Sequence, residues 1–66
     1  MNTALWRYRV NYGQGQVSER MPDLRSAYAH IELLKQYGSV EGHFVQKEMD
    51  SPGEWFAVAS IEVRNR

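Results

Sequence analysis

The stretch MPDLRSAYAHIELLKQYG, residues 21–38, decides the fold. Leu24, Ala27, Tyr28, Ile31 and Leu34 recur at three- and four-residue spacing, which gathers them on one stripe of an α-helix, while Arg25, Glu32, Lys35 and Gln36 fall elsewhere around it. Asp23 stands just before the first periodic residue, where its carboxylate can accept the orphan amide protons of a first turn. Pro22 has no amide proton to give a ladder, so it ends whatever strand runs into it. Gly38 suits a left-handed residue after the last turn. The spacing predicts one helix over 24–37.

Working outward, the residues before the helix alternate. Trp6, Tyr8, Val10 and Tyr12 fall on one side of an extended chain, with Arg7, Arg9 and Asn11 on the other, the period of a half-buried strand. Gly13-Gln14-Gly15 then offers two glycines able to take positive φ, and 16–21 is expected to return as a second, more polar edge strand. After the helix, 40–49 and 55–63 are rich in β-branched and aromatic residues and are joined by Asp50-Ser51-Pro52-Gly53-Glu54, a turn signal. The predicted fold is a single α+β domain over 1–66: a two-layer ββαββ arrangement with one helix on one face of a mostly antiparallel four-stranded sheet. The most apolar strands, 5–12 and 55–63, are expected side by side at its centre.

Size and composition narrow the function. A chain of 66 residues buries only about 60% of the surface its unfolded form exposes, so a second copy or a partner would add useful stability. There is no cysteine, hence no disulfide and no thiolate metal cage, which favours a reducing, cytoplasmic setting. No apolar segment approaches the roughly 20 residues needed to span a bilayer, so no membrane association is expected. Eight basic and eight acidic residues cancel, with no block of like charge. General polyanion binding therefore lacks its electrostatic driving force, and nucleic acid is not indicated by net charge.

Catalytic signatures are missing. Neither Ser51 nor Ser60 sits in a glycine-flanked elbow, His30 and His43 are too far apart in sequence to form a close zinc-ligand pair, and the carboxylates spread over turns and polar positions. Gly13-Gln14-Gly15 joins two strands, whereas a phosphate cradle leads from a strand into a helix. No catalytic residue, metal site, cofactor or small-molecule ligand is expected, and the chain reads as a non-enzyme.

In layout, Asp23-Leu24 with Ala27 opening the helix and Gly53-Glu54-Trp55-Phe56-Ala57 opening the last strand resemble the small ββαββ proteins encoded by phages and other mobile elements, among them anti-CRISPR proteins. The resemblance implies an inhibitor that masks a surface of a host complex. The RNA-recognition motif fits worse because it needs a second helix, as does the double-stranded-RNA domain, which begins and ends with helices.

One helix covers one face of a sheet, which leaves the other open. With Trp6, Tyr8, Val10, Phe44, Ala57, Ala59 and Ile61 assigned beneath the helix, the far face carries Arg7, Arg9, His43, Val45, Lys47, Phe56 and Val58. Arg7, Arg9, Lys47, Phe56 and Val58 are the expected partner-binding residues, an apolar centre with a charged rim. The expected function is a small protein-interaction domain taking a protein partner or a second copy, with a nucleic-acid-binding module on the same face as the alternative.

Overall fold

The computed structural model describes residues 6–58. It contains β1 (Tyr8–Asn11), α1 (Leu24–Lys35), β2 (Phe44–Glu48) and β3 (Trp55–Ala57), with the strands in one antiparallel sheet ordered β1-β2-β3. The layout is α+β, but the sheet has three strands where four were expected. The expected central pair is also wrong: the more polar β2 lies in the middle, between β1 and β3.

The missing strand has a physical reason. Residues 16–21 do return beside β1, yet they touch it as two isolated bridges, Asn11 with Val17 and Tyr8 with Met21. Between those bridges Arg9 and Val10 stand opposite Ser18, Glu19 and Arg20, so the returning segment carries one residue too many. That is the geometry of a β-bulge, which interrupts a ladder and re-aims side chains. Ser18 takes up the slack: its amide donates to the Val10 carbonyl at 2.8 Å and its hydroxyl accepts from the Val10 amide at 2.8 Å.

The helix forms where its periodicity placed it. Asp23 is the N-cap, its carboxylate accepting from the Ser26 amide at 2.7 Å, and that hydrogen bond holds its pKa below the ordinary value. The other end departs from expectation. The helix closes at Lys35 with Gln36 as a right-handed C-cap, and the amides of Tyr37 and Gly38 both donate to the Leu34 carbonyl. Gly38 is not left-handed, because this tightened last turn satisfies the terminal carbonyls without it.

The hairpin between β2 and β3 follows its turn residues closely. Ser51 accepts from Glu54 across Pro52 and Gly53, and Gly53 has φ of 85°, the pattern of a type II turn with proline second and glycine third. β3 ends at Ala57, so Val58, although buried, is not part of the strand. The remainder of the expected strand 55–63, from 59 on and including Ala59 and Ile61, lies outside the described residues.

Register then fixes the two faces of the sheet. Val10 stands directly opposite Val45 and Tyr8 opposite Lys47, while Lys47 pairs with Phe56. Directly opposed residues share a face. Val10, Ala27, Val45 and Val58 form the buried core, with Tyr8, Tyr12, Met21, Leu24 and Ile31 packed against it. Val45, Lys47, Phe56 and Val58 therefore belong to the helix-side face, and Phe44 and Ala57 to the opposite one, the reverse of the expected assignment. Both alternating sets of β2 and β3 begin with an apolar residue, so alternation alone could not choose between them. Nor do the aromatics fill the core: Tyr28, Tyr37, Phe44 and Phe56 are exposed, and small valines and Ala27 occupy the centre.

This register predicts an order of stabilities. Val45→Ala removes buried methyls from the core and should lower unfolding free energy by about 2 kcal/mol. Phe44→Ala, from a side chain on the open face, should cost less despite the larger truncation. Urea denaturation of the two variants measures both, and the opposite order would mean that β2 is displaced by one residue.

Candidate interaction face

The sheet face turned away from α1 takes its side chains from Arg9 and Asn11 of β1, Phe44, Gln46 and Glu48 of β2, and Trp55 and Ala57 of β3. Arg7 precedes Arg9 by two residues and falls on this face by alternation. Arg20 joins them across β1. The bulge makes this possible, since it carries Met21 towards the core while sending the Arg20 guanidinium over the open face.

Glu48 organises the arrangement. Its backbone is tied to β1 through the Glu48 amide and the Arg7 carbonyl, 2.8 Å apart. Arg20 pairs with the Glu48 carboxylate through both terminal nitrogens, the second contact being 3.2 Å, and the Gly53 amide adds a third hydrogen bond at 2.8 Å. Gly53 has that amide to spare because the type II turn does not use it. These donors hold the Glu48 carboxyl at a pKa of about 2, the Arg20 hydrogen bonds being the largest cause and the Gly53 amide the next. Glu48 was read in the sequence as one of several solvated acids. No local pattern joins Glu48 to Trp55 across the sheet or to Arg20, 28 residues away.

Trp55 is the other centre. The Arg20 guanidinium carbon lies 5.0 Å from the centroid of its ring and the Arg9 guanidinium carbon 4.0 Å, so one indole receives two cations. Arg9 is also fixed from its own strand. Its Nε donates to Gln46 Oε1 at 2.9 Å, and the same oxygen accepts from Asn11 Nδ2 at 3.4 Å. Partial burial and the neighbouring charge of Arg20 hold the Arg9 pKa below the ordinary guanidinium value, with Glu48 opposing the shift.

The five expected binding residues are thus divided between two faces. Arg7 and Arg9 lie on the open face. Lys47, Phe56 and Val58 do not: Lys47 reaches over the Tyr8 ring at 5.7 Å, Phe56 is 41% exposed on the helix-side face, and Val58 is 5% exposed in the core. An apolar residue apparently exposed in the sequence was completing the core, and its place on the surface is taken by Trp55, Gln46 and Arg20.

A second polar cluster also escaped the sequence. Tyr12 Oη lies 2.9 Å from His30 Nε2, and the His43 ring packs edge-on against Tyr12 with centroids 5.2 Å apart. Beside it, Gly13 packs against the Gly42 backbone, where a Cβ would sit 2.8 Å from the Gly42 carbonyl oxygen. The cluster fastens the far end of β1 to α1 and to the segment entering β2. Among the described residues no group of three or more His, Cys, Asp or Glu side chains is placed to hold a metal ion, and no helix is long and apolar enough to cross a membrane.

The depressed Glu48 pKa gives a signed pH prediction. A carboxyl whose folded pKa lies below its ordinary 4.5 stabilises the fold fully above that value and progressively less as pH falls towards 2. Wild type should therefore lose stability over that window, and Glu48→Gln should lose less of its own over the same window. Urea midpoints at several pH values read the difference, and parallel profiles would show that Glu48 is not held by Arg20 and Gly53 in solution. No protein-family model matches the chain, and neither a curated protein nor a solved structure matches it significantly.

Proposed function

We propose that the protein is a non-enzymatic protein-interaction domain that docks through the open sheet face centred on Trp55 and Arg9. The observation that supports this most is the indole flanked by two guanidiniums, each restrained by a further contact, on the face that α1 leaves uncovered. Tryptophan and arginine are the side chains that most often dominate binding energy, and restraining them before binding lowers the entropic cost of association. Phe44, 39% exposed on the same face, extends the apolar part of the surface.

Its partner is another protein or a second copy of the chain. Masking of a surface on a host complex, in the cytoplasm, is the form of action that suits a domain of this size. Net charge favours a protein over a polyanion: the eight basic and eight acidic residues of the chain cancel, and on the face Glu48 already matches Arg20.

Site-specific photocross-linking tests this. A benzoylphenylalanine in place of Phe44 should give a discrete, nuclease-resistant protein adduct, or an adduct of twice the chain's own mass if the partner is a second copy. The same group in place of Tyr37, 81% exposed beyond the helix, should give none. Trp55→Ala should abolish the Phe44 adduct. Adducts from Tyr37 alone, or adducts lost on nuclease treatment, would contradict the proposal.

A further inference from the structure

Trp55 carries two guanidiniums in unequal states. Arg20 stands over the ring with its charge matched by the two oxygens of Glu48. Arg9 stands closer, at 4.0 Å, and only its Nε is engaged, by Gln46; among the described residues its two terminal nitrogens have no hydrogen-bond partner. A guanidinium presents its donors as a planar fork that matches the two oxygens of a carboxylate. The indole, 4.0 Å from the guanidinium carbon, and the Gln46 oxygen, itself held by Asn11, restrain the Arg9 fork from two sides. What Glu48 is to Arg20, an oxygen pair from outside the chain would be to Arg9.

We infer that Arg9 is a pre-organised receptor for a carboxylate side chain of an acidic segment in the docked protein, seated beside the Arg20–Glu48 pair on Trp55. This rests on the sheet face being the interface, and it names the chemistry that the interface reads. Geometry favours one carboxylate: its two oxygens match the Arg9 fork, while the Arg20 fork on the same indole is already taken by Glu48. The lowered Arg9 pKa agrees, since both burial and Arg20 make its positive charge less favourable until an anion arrives.

The test is an NMR titration of the whole 15N-labelled chain, following the Arg9 Nε–Hε and Trp55 indole resonances at constant ionic strength. The probes are acetyl-(Glu-Ala)3-amide, its (Gln-Ala)3 counterpart, inorganic phosphate and a thymidine hexanucleotide. The Glu peptide should shift both resonances progressively as its concentration rises, weakly, as suits a single exposed ion pair, and the Gln peptide should leave them in place. Arg9→Lys keeps the charge but loses the fork and should weaken the response several-fold, read at the Trp55 indole. Arg25→Lys, on the exposed side of α1, should leave it unchanged.

Equal shifts from both peptides, an Arg9→Lys variant as good as wild type, or tighter saturation by phosphate or the oligonucleotide would each overturn the inference. The last would make the face a nucleic-acid site. The cross-linking result separates this from the broader reading: a Phe44 adduct with no carboxylate preference at Arg9 leaves the interface standing and removes only the receptor.

Discussion

Everything on the sheet follows from Val10 standing opposite Val45 beneath Ala27. These three residues and Val58 are the whole of the buried apolar core among the described residues. Because side chains alternate along a strand, placing Val45 under the helix sends Gln46 and Glu48 to the other side, and the pairing of Glu48 with Trp55 then brings the indole to the same face. A shift of one residue would exchange the core for the surface. So small a core also explains why the polar contacts matter: with few methyl groups buried, the N-cap at Asp23, the bond between Tyr12 and His30, and the Arg20–Glu48 pair hold elements that packing alone fixes weakly.

The bulge between β1 and the segment from Gln16 to Met21 connects that core to the face. A regular strand would have continued the ladder and presented a flat edge. One extra residue interrupts the ladder, the Val10 amide turning to the Ser18 hydroxyl, and in return Met21 reaches the core while Arg20 reaches Glu48 across β1. The same irregularity that removes a fourth strand supplies the second cation on Trp55. Loss of regular structure and assembly of the candidate site are one event in the backbone.

How much of this was legible in the sequence depended on whether the deciding interaction was local. Asp23, the helix start and the Ser51–Glu54 turn act within four residues of themselves, and each stands where its residues placed it, although Tyr28 of the helix stripe is exposed and the helix ends at Lys35. Choosing which face of β2 is buried required knowing what lies across the sheet, and Phe44 and Val45 were equally apolar candidates for it. The larger ring was preferred for the core because big side chains bury more area, but the space under Ala27 is filled by valines. Val58 was assigned to the surface by the same inverted alternation. Arg7 and Arg9 fell on the open face as expected because β1 alternates without ambiguity, whereas Arg20 and Glu48 are separated by 28 residues and no sequence pattern joins them.

The claim on which the account turns is that Arg9 is stacked on Trp55 in the free protein while Val45 lies under the helix. Nuclear Overhauser contacts in the unliganded chain measure both together. The account predicts contacts from the Arg9 δ-methylene to the Trp55 indole, with that methylene shifted upfield by the ring, and contacts from the Val45 methyls to Ala27. Arg9 at its random-coil shift, with Phe44 and not Val45 in contact with Ala27, would contradict it.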